Sequence, residues 1–385
     1  MIYKTLGNTQ VKISAIGQGT IGAGSYQNTT SERIRRRIDV LRLGIELGIT
    51  FLDTGEDYEE GHAEELLGKA IKGIRGDVFI SSKFKPSNNS FTGVMNAIEG
   101  SLRRLQTDYI DLYQVQWPNP LIPISETMAS LSNLVDQEKI RFVGVSNFTQ
   151  TQLEEAQLFF DRGKIVSVQT EYNLRNRSIE SDLLPYCESN QINVIAYSPF
   201  NQGNLYLDTK EKETLSTISE KYGATISQVI LNWLISHPAV VAVTSTMSST
   251  HISENAGATD FKLHRKDIKT IAEAFTREPI LVPTDRIRII YYDIDETHRI
   301  YTTLNEAIEN RLNLQPSPMV LAQEVKEGNR LKPVELVLTK DKTGKYDYDL
   351  THGRSRYWAW IIANGPEKPI PAYIIERKSL IKRGE

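Results

Sequence analysis

Apolar and polar positions change their rhythm repeatedly between residue 10 and about residue 275. Short β-rich runs give way to stretches whose apolar residues recur every three or four positions, and then return. The β-rich runs lie at residues 14–19, 50–54, 78–83, 110–116, 141–146, 166–170, 193–198 and 240–246. Helical patterns fall between them at 31–47, 63–71, 94–105, 125–137, 151–160, 180–189 and 227–235. In the first of these Ile34, Ile38, Leu41 and Ile45 share one face. Such alternation specifies parallel strands joined by helical crossovers. Eight units in about 265 residues predict a closed (β/α)8 TIM barrel of the α/β class, because an open doubly wound sheet more often has five or six strands.

The pattern stops after Phe275. Thr276-Arg277-Glu278-Pro279 and then Val282-Pro283 break the helix, and no ninth unit follows. We therefore expect a barrel over 1–276 and a smaller α+β domain over 277–385. In the second segment 332–338 and 346–351 read as two strands that lead through Gly353 into a helix. With 385 residues, of which 39% are hydrophobic and 24% charged, each domain has enough material for a core of its own.

Charge narrows the partners. Lys and Arg number 45 against 48 Asp and Glu, a net of -3, so no global positive field is available for nucleic acid or an anionic membrane. Residues 277–385 alone carry a net of only +2. No apolar run approaches the ~20 residues of a membrane span. Met1-Ile2-Tyr3-Lys4 lacks the charged segment and apolar core of a secretory signal, and a cytoplasmic protein is expected. Cys187 is the single cysteine, which excludes an intramolecular disulfide and a Cys-based zinc cluster. We expect it to be a buried, inert thiol, and we expect no metal site.

Chemistry in such barrels sits where strands end. Asp53, Lys83, Gln116, Ser146 with Asn147, Gln169 and Ser198 all stand at the tips of predicted strands. Four segments then occur in a telling order: Gly17-Gln18-Gly19-Thr20, Asp53-Thr54-Gly55-Glu56-Asp57-Tyr58, Gly144-Val145-Ser146-Asn147-Phe148 and Ala196-Tyr197-Ser198-Pro199-Phe200. Together with the run from Gly61 to Gly68, Gln169-Thr170-Glu171-Tyr172-Asn173 and Glu254-Asn255, they resemble the aldo-keto reductase family over nearly all of residues 1–275.

That resemblance implies a nicotinamide cofactor, NADP or NAD, extended across the barrel rim. It also implies a tetrad of Asp, Tyr, Lys and His that protonates a carbonyl oxygen while hydride reaches its carbon. Asp53, Tyr58 and Lys83 match three members, and Gln116 stands where the histidine belongs. A phenol whose ordinary pKa is near ~10 exchanges protons near neutrality only if a neighbouring cation favours the phenolate, a role for Lys83. Asp53 would compensate the burial of that ammonium. Gln116 can orient an oxygen by hydrogen bonding but cannot titrate. By the same resemblance Ser146, Asn147 and Gln169 hold the carboxamide and Tyr197 stacks on the nicotinamide. Gly19, Thr20, Ser198, Glu254 and Asn255 complete the cofactor contacts. His251 replaces the arginine that often grips a 2′-phosphate, which leaves NAD and NADP both open, with Lys262 as a substitute cation.

In the second segment a glycine before Arg354 and Arg356 makes an anion site from free backbone N–H groups and guanidinium forks. His352, Gly353, Arg354, Ser355 and Arg356 are its candidate residues for phosphate or nucleotide. The segment 279–376 resembles the ParB and sulfiredoxin superfamily, mainly through Gly353, Arg356 and Tyr357. The resemblance implies ATP, ADP or CTP with Mg as ligands. Arg354 occupies the place of sulfiredoxin's cysteine and excludes that chemistry, and Asp295 or Glu296 would assist phosphoryl transfer if the domain were a kinase.

Three functions follow. The first is an NAD(P)-dependent oxidoreductase acting on a carbonyl or alcohol of a small metabolite, fused to a nucleotide-binding domain. The second is a redox-sensing or regulatory protein with a weak or inactive barrel. The third is a bifunctional protein whose tail is a small-molecule kinase. Substrate choice is assigned to the loops at 117–124 and 201–210.

Overall fold

The computed structural model describes all residues except 22–29, 202–206, 277, 290–300, 302, 313, 315, 329–330, 341–342 and 375–385. The chain divides into two compact units, one of Met1–Leu205 with Lys212–Ala274 and one of Tyr206–Glu211 with Phe275–Glu385. Among the described residues no helix is long and apolar enough to cross a membrane.

The first unit opens with an antiparallel hairpin, β1 (Tyr3–Thr5) and β2 (Lys12–Ser14). Eight parallel strands then close a barrel: β3 (Ile16–Gly19), β4 (Phe51–Asp53), β5 (Phe79–Phe84), β6 (Ile110–Val115), β7 (Ile140–Ser146), β8 (Ser167–Glu171), β9 (Asn193–Tyr197) and β10 (Val240–Thr244), with β10 pairing back onto β3. All eight coincide with the β-rich runs. The seven expected helices are present too, and three more appear at Thr209–Tyr222, Ser249–Gly257 and Arg265–Ala274. Several helices start on side-chain caps. Thr149 and Thr225 each form a reciprocal capping box, with Gln152 and Gln228.

The barrel interior is layered. Leu6 and Ile13 from the hairpin pack with Phe51, Phe79, Leu112, Val166, Ile195 and Val241, and so stop the N-terminal end of the cylinder with apolar side chains. The β3 backbone approaches this layer so closely that a Cβ at Gly17 would stand 2.5 Å from Phe51 Cδ1, which requires glycine there. Polar side chains occupy the opposite end. Cys187 is buried, and desolvation pushes its thiol up to about 12, as an inert core residue requires.

In the second unit five strands form one mixed sheet. β11 (Ile280–Val282), β12 (Ile287–Ile289), β13 (Val334–Leu338), β14 (Tyr348–His352) and β15 (Ile370–Ile374) are ordered β11-β15-β13-β14-β12. The helix Arg354–Asn364 follows β14 through Gly353, as the sequence pattern predicts, and buries Tyr357, Trp358 and Ile361 against Val334, Leu336, Leu350 and Ile370. The sequence pattern missed β11, β12 and β15. Two are only three residues long, and Pro371 interrupts the third.

The hairpin is also tied down by the hydrogen bonds of a buried amine, Lys4, whose pKa desolvation lowers to about 7. Lys4 Nζ donates to the carbonyls of Ile235, His237 and Val240 at 2.7, 2.6 and 2.5 Å, and so caps the end of the helix Ile226–Ile235. Lys4→Met leaves three carbonyls without this partner. We expect a loss of about 2 kcal/mol in unfolding free energy, measured by denaturant titration against the parent chain.

Candidate active site

A buried ion pair organises the polar end of the barrel. Asp53 closes β4 and Lys83 lies near the end of β5, both turned into the lumen. Lys83 Nζ donates to Asp53 Oδ1 at 2.8 Å, to Asp53 Oδ2 at 2.9 Å and to the Thr54 carbonyl at 2.7 Å. Lys83 is 1% exposed and Asp53 4%. Burial alone would lower the Lys83 pKa. The charge of Asp53 and its hydrogen bonds outweigh that, and the ammonium is held above its ordinary value.

Tyr58 begins a tight turn, Tyr58–Gly61, and its ring centroid is 5.0 Å from Lys83 Nζ. The turn is fixed from several sides. Glu59 and Glu60 adopt left-handed φ values of 53° and 57°, and Arg37 Nη1 grips Glu59 at 3.1 Å. Before the turn, the Glu56 N–H donates to Lys83 O at 2.9 Å, and Glu56 Oε1 accepts from the Lys85 N–H at 2.8 Å. Strained non-glycine backbone of this kind persists only where neighbours over-determine it.

The expected acid shift of Tyr58 is not what the structure displays. Burial raises the phenol above its ordinary value, the Lys83 charge lowers it by less, and Asp53 and Asp57 add to the rise. The lysine is in place, but desolvation of the phenolate dominates, and the Tyr58 phenol stays protonated through neutral pH.

Gln116 lies just beyond β6. Its N–H donates to Phe84 O at 3.2 Å and its carbonyl accepts from Asn147 Nδ2 at 3.0 Å. Its side-chain Oε1 is buried and has no hydrogen-bond partner among the described residues. Asn147 joins the rim together from a left-handed φ of 61°. Its N–H donates to Gln169 O at 2.8 Å, its Nδ2 also donates to Ser146 Oγ at 3.0 Å, and its Oδ1 accepts from the Tyr197 hydroxyl at 2.9 Å. Gln169 Nε2 donates to Asp53 Oδ1 at 3.1 Å. Asp53, Tyr58, Lys83, Gln116, Ser146, Asn147, Gln169 and Tyr197 therefore form one connected cluster. Ser198 adjoins it with φ 52° and offers its carbonyl to Asn173 Nδ2 at 3.0 Å.

Other expected contacts are occupied within the protein. The Thr20 N–H donates to Asp53 O at 3.0 Å and its hydroxyl to Thr54 Oγ1 at 2.8 Å, while Gly19 pairs with Asp53 across β3 and β4. Asn255 Nδ2 donates to Thr244 Oγ1 at 3.0 Å, and Glu254 accepts from Thr225 Oγ1. His251 and Lys262 are exposed. Sequence reasoning overlooked Ser81 and Gln114, which lie two residues before Lys83 and Gln116. The period-two alternation of strands places them on the same inward face. Of the two loops expected to set specificity, 117–124 is described and carries Leu121 at 89% exposure, whereas residues 202–206 of the loop 201–210 lie outside the described residues.

In the second unit Gly353 has φ 94°, and a Cβ there would come within 2.9 Å of Arg356 Nη2. Arg356 is not the open fork that its spacing suggested. Its Nη1 donates to Lys332 O at 2.8 Å and Pro333 O at 2.7 Å, so the guanidinium fastens the entry of β13. His352 Nδ1 stands 3.2 Å from Glu335 Oε2. Burial pushes Glu335 up, but His352 holds it below its ordinary value. Arg354 and Ser355 are half-buried in the first helical turn. Asp295 and Glu296 lie outside the described residues, among which no group of three or more His, Cys, Asp or Glu is placed to hold a metal.

Known proteins share this barrel. The Aldo/keto reductase family profile matches residues 15–275. Methylglyoxal reductase YeaE of Escherichia coli is 36% identical over 266 residues, 69% of this chain and 92% of that protein. Aldo-keto reductase YhdN of Bacillus subtilis is 32% identical, over 73% of this chain and 96% of its own length. Among solved structures, the aldo-keto reductase of Klebsiella pneumoniae in complex with NADP and acetate superposes with a TM-score of 0.65 at 34% identity, covering 71% of this chain and 95% of that one. Tm1743, a thermostable aldo-keto reductase crystallised with epalrestat, gives 0.67 at 40% identity over 71% of this chain and all of the other. The chain therefore belongs to the aldo/keto reductase family and is an oxidoreductase.

Proposed function

We propose that residues 1–276 reduce small aldehydes and ketones, of the size of methylglyoxal or glyoxal, with NADPH as the hydride source. The observation that carries this is the Lys83 ammonium, clamped by Asp53 and set against Tyr58 at a rim that also presents Asn147, Gln169 and Tyr197. Methylglyoxal reductase and, at 33% identity, the glyoxal reductase of Bacillus subtilis support the substrate class. NADP and NADPH in the Klebsiella structures support the cofactor.

The residues present fit such a cofactor. Gln116 Oε1 is a buried acceptor without a partner among the described residues, the Tyr197 ring is half-buried at the rim, and Ser146 and Gln169 bring hydroxyl and amide groups beside it. Ser146, Asn147 and Gln169 would hold the carboxamide and Tyr197 would lie against the ring. When bound, the nicotinamide supplies hydride to the carbonyl carbon. Tyr58 gives its phenolic proton to the carbonyl oxygen, and Lys83 stabilises the phenolate left behind. Gln116 orients the oxygen by hydrogen bonding in place of an imidazole, and it leaves Tyr58 as the one titrating proton donor.

For residues 277–385 we infer a phosphate- or nucleotide-binding domain of the ParB and sulfiredoxin type. Gly353 at the start of an eleven-residue helix, with Arg354 in its first turn, supports this. Arg356 serves the site only by holding β13 in place.

Four outcomes are expected. Tyr58→Phe should lower kcat for carbonyl reduction by ~10²- to 10⁴-fold while NADPH binding, followed by fluorescence titration, stays near the parent value. Because folding raises the phenol's pKa, the parent's reduction rate should stay flat through neutral pH and fall only above the ordinary phenol range, as the donor proton is lost. His251→Arg should raise the NADPH-over-NADH ratio of kcat/KM by ~10-fold or more, since a guanidinium restores a fixed partner for the 2′-phosphate. Calorimetry of the full chain with ATP, ADP or CTP and Mg should give saturable heat, weakened ~10-fold or more in Arg354→Ala.

A further inference from the structure

Below the Asp53–Lys83 pair a second polar layer crosses the barrel. Gln114 Nε2 donates to Ser81 Oγ at 2.8 Å, and the Ser81 hydroxyl donates to Asp53 Oδ1 at 3.1 Å. All three side chains are buried; Ser81 and Gln114 are 0% exposed. The register of β5 on β6 brings the two strands together here, pairing Ser81 with Leu112 and Lys83 with Gln114. A hydroxyl can rotate, and its hydrogen goes where its acceptors and donors direct it. With an amide N–H already pointing at its lone pair, Ser81 is left to aim its own proton at Asp53.

Gln114 is a costly residue for this position if packing were its purpose. Its Oε1 is buried and has no hydrogen-bond partner among the described residues, and the neighbouring Ser167 Oγ is in the same condition. Both lie against Gly144, where an added Cβ would stand 2.5 Å from Ser167 Oγ and 3.1 Å from Gln114 Oε1. A leucine would fill the site without stranding an amide oxygen, so the polar side chain sacrifices stability where an apolar one would not.

We propose that Gln114 and Ser81 are positioning residues for the reductive proton transfer, a hydrogen-bond chain that fixes Asp53 from beneath and tempers its hold on Lys83. The proposal rests on Tyr58 as the proton donor. Each hydrogen bond that Asp53 accepts from Ser81 or Gln169 disperses its negative charge, and a less intense carboxylate leaves more of the Lys83 charge to favour the Tyr58 phenolate. The charged and titratable groups that act on Tyr58 are Lys83 from β5, Asp53 from β4 and Asp57 beside it, and Tyr197 from β9 also senses it. The chain reaches only Asp53 among them. Ser81 meets the rim cluster at Asp53, and Gln114 meets it through Ser81.

The experiment compares the parent, Gln114→Leu, Ser81→Ala, Ser81→Thr and the double variant Gln114→Leu/Ser81→Ala. Two readouts are taken: the pH profile of kcat for alcohol oxidation, and the ionisation midpoint of Tyr58 by ¹⁹F NMR of 3-fluorotyrosine-labelled protein, with the resonance assigned by Tyr58→Phe. We expect Gln114→Leu and Ser81→Ala each to move the Tyr58 midpoint upward by about half a pH unit, with the rise of kcat displaced to higher pH in step. The kcat at pH 8 should fall by ~3-fold, the factor that a half-unit displacement carries. The double variant should be no worse than either single one, because both break the same chain. Ser81→Thr, which keeps the hydroxyl, should restore the parent midpoint, and Gln114→Leu should melt no lower than the parent. Unchanged midpoints and profiles would overturn the proposal, as would additive losses or a failure of both single variants to fold. A shifted Tyr58 midpoint in a protein that reduces no carbonyl would uphold the chain and sink the reductase assignment instead.

Discussion

The ion pair of Asp53 and Lys83 is the constraint around which this barrel is built. An ammonium that is 1% exposed is tolerable only when its charge is balanced and its protons have acceptors, and here two carboxylate oxygens and the Thr54 carbonyl supply both. The carboxylate in turn needs donors beyond the lysine, and it finds them in Ser81 and Gln169. Those demands link four strands, β4, β5, β8 and, through Gln114, β6, before any ligand arrives. The polar end of the cylinder is therefore preorganised: its residues are aligned by their mutual requirements, and binding has little left to arrange.

Placing a phenol beside such a pair has opposing effects. Tyr58 gains a nearby positive charge, but it enters the same poorly solvated space that made the pair necessary. Desolvation wins, and the proton is held more tightly than in water. That favours a donor over an acceptor, which supports the proposed reduction of carbonyl compounds. On that proposal the amide at position 116, which does not titrate, would orient the oxygen and leave Tyr58 as the proton source.

Much of this was legible in the sequence because strands in a closed barrel obey two simple periodicities. The eight β-rich runs became the eight barrel strands within a residue or two, and the residues at their tips formed one cluster. Side-chain pairing across the lumen was harder to read. Ser81 and Gln114 look like ordinary strand residues until the register of β5 against β6 sets them in contact, and register is a property of two strands, not of one. The acidity of Tyr58 was misjudged for a related reason: the sequence shows which charge is near, but it does not show how much water is excluded. In the second unit, Arg356 follows a glycine as an anion-binding arginine would, yet the carbonyls of Lys332 and Pro333 from an earlier strand reach it first. Competition from a distant segment has no local signature.

The stopped end of the cylinder bears on traffic. Leu6 and Ile13 close one mouth with hydrocarbon, so a guest would reach the polar side chains from the other mouth. On the proposed function the cofactor and the carbonyl compound would share that approach, and the order in which they are seated would matter to turnover.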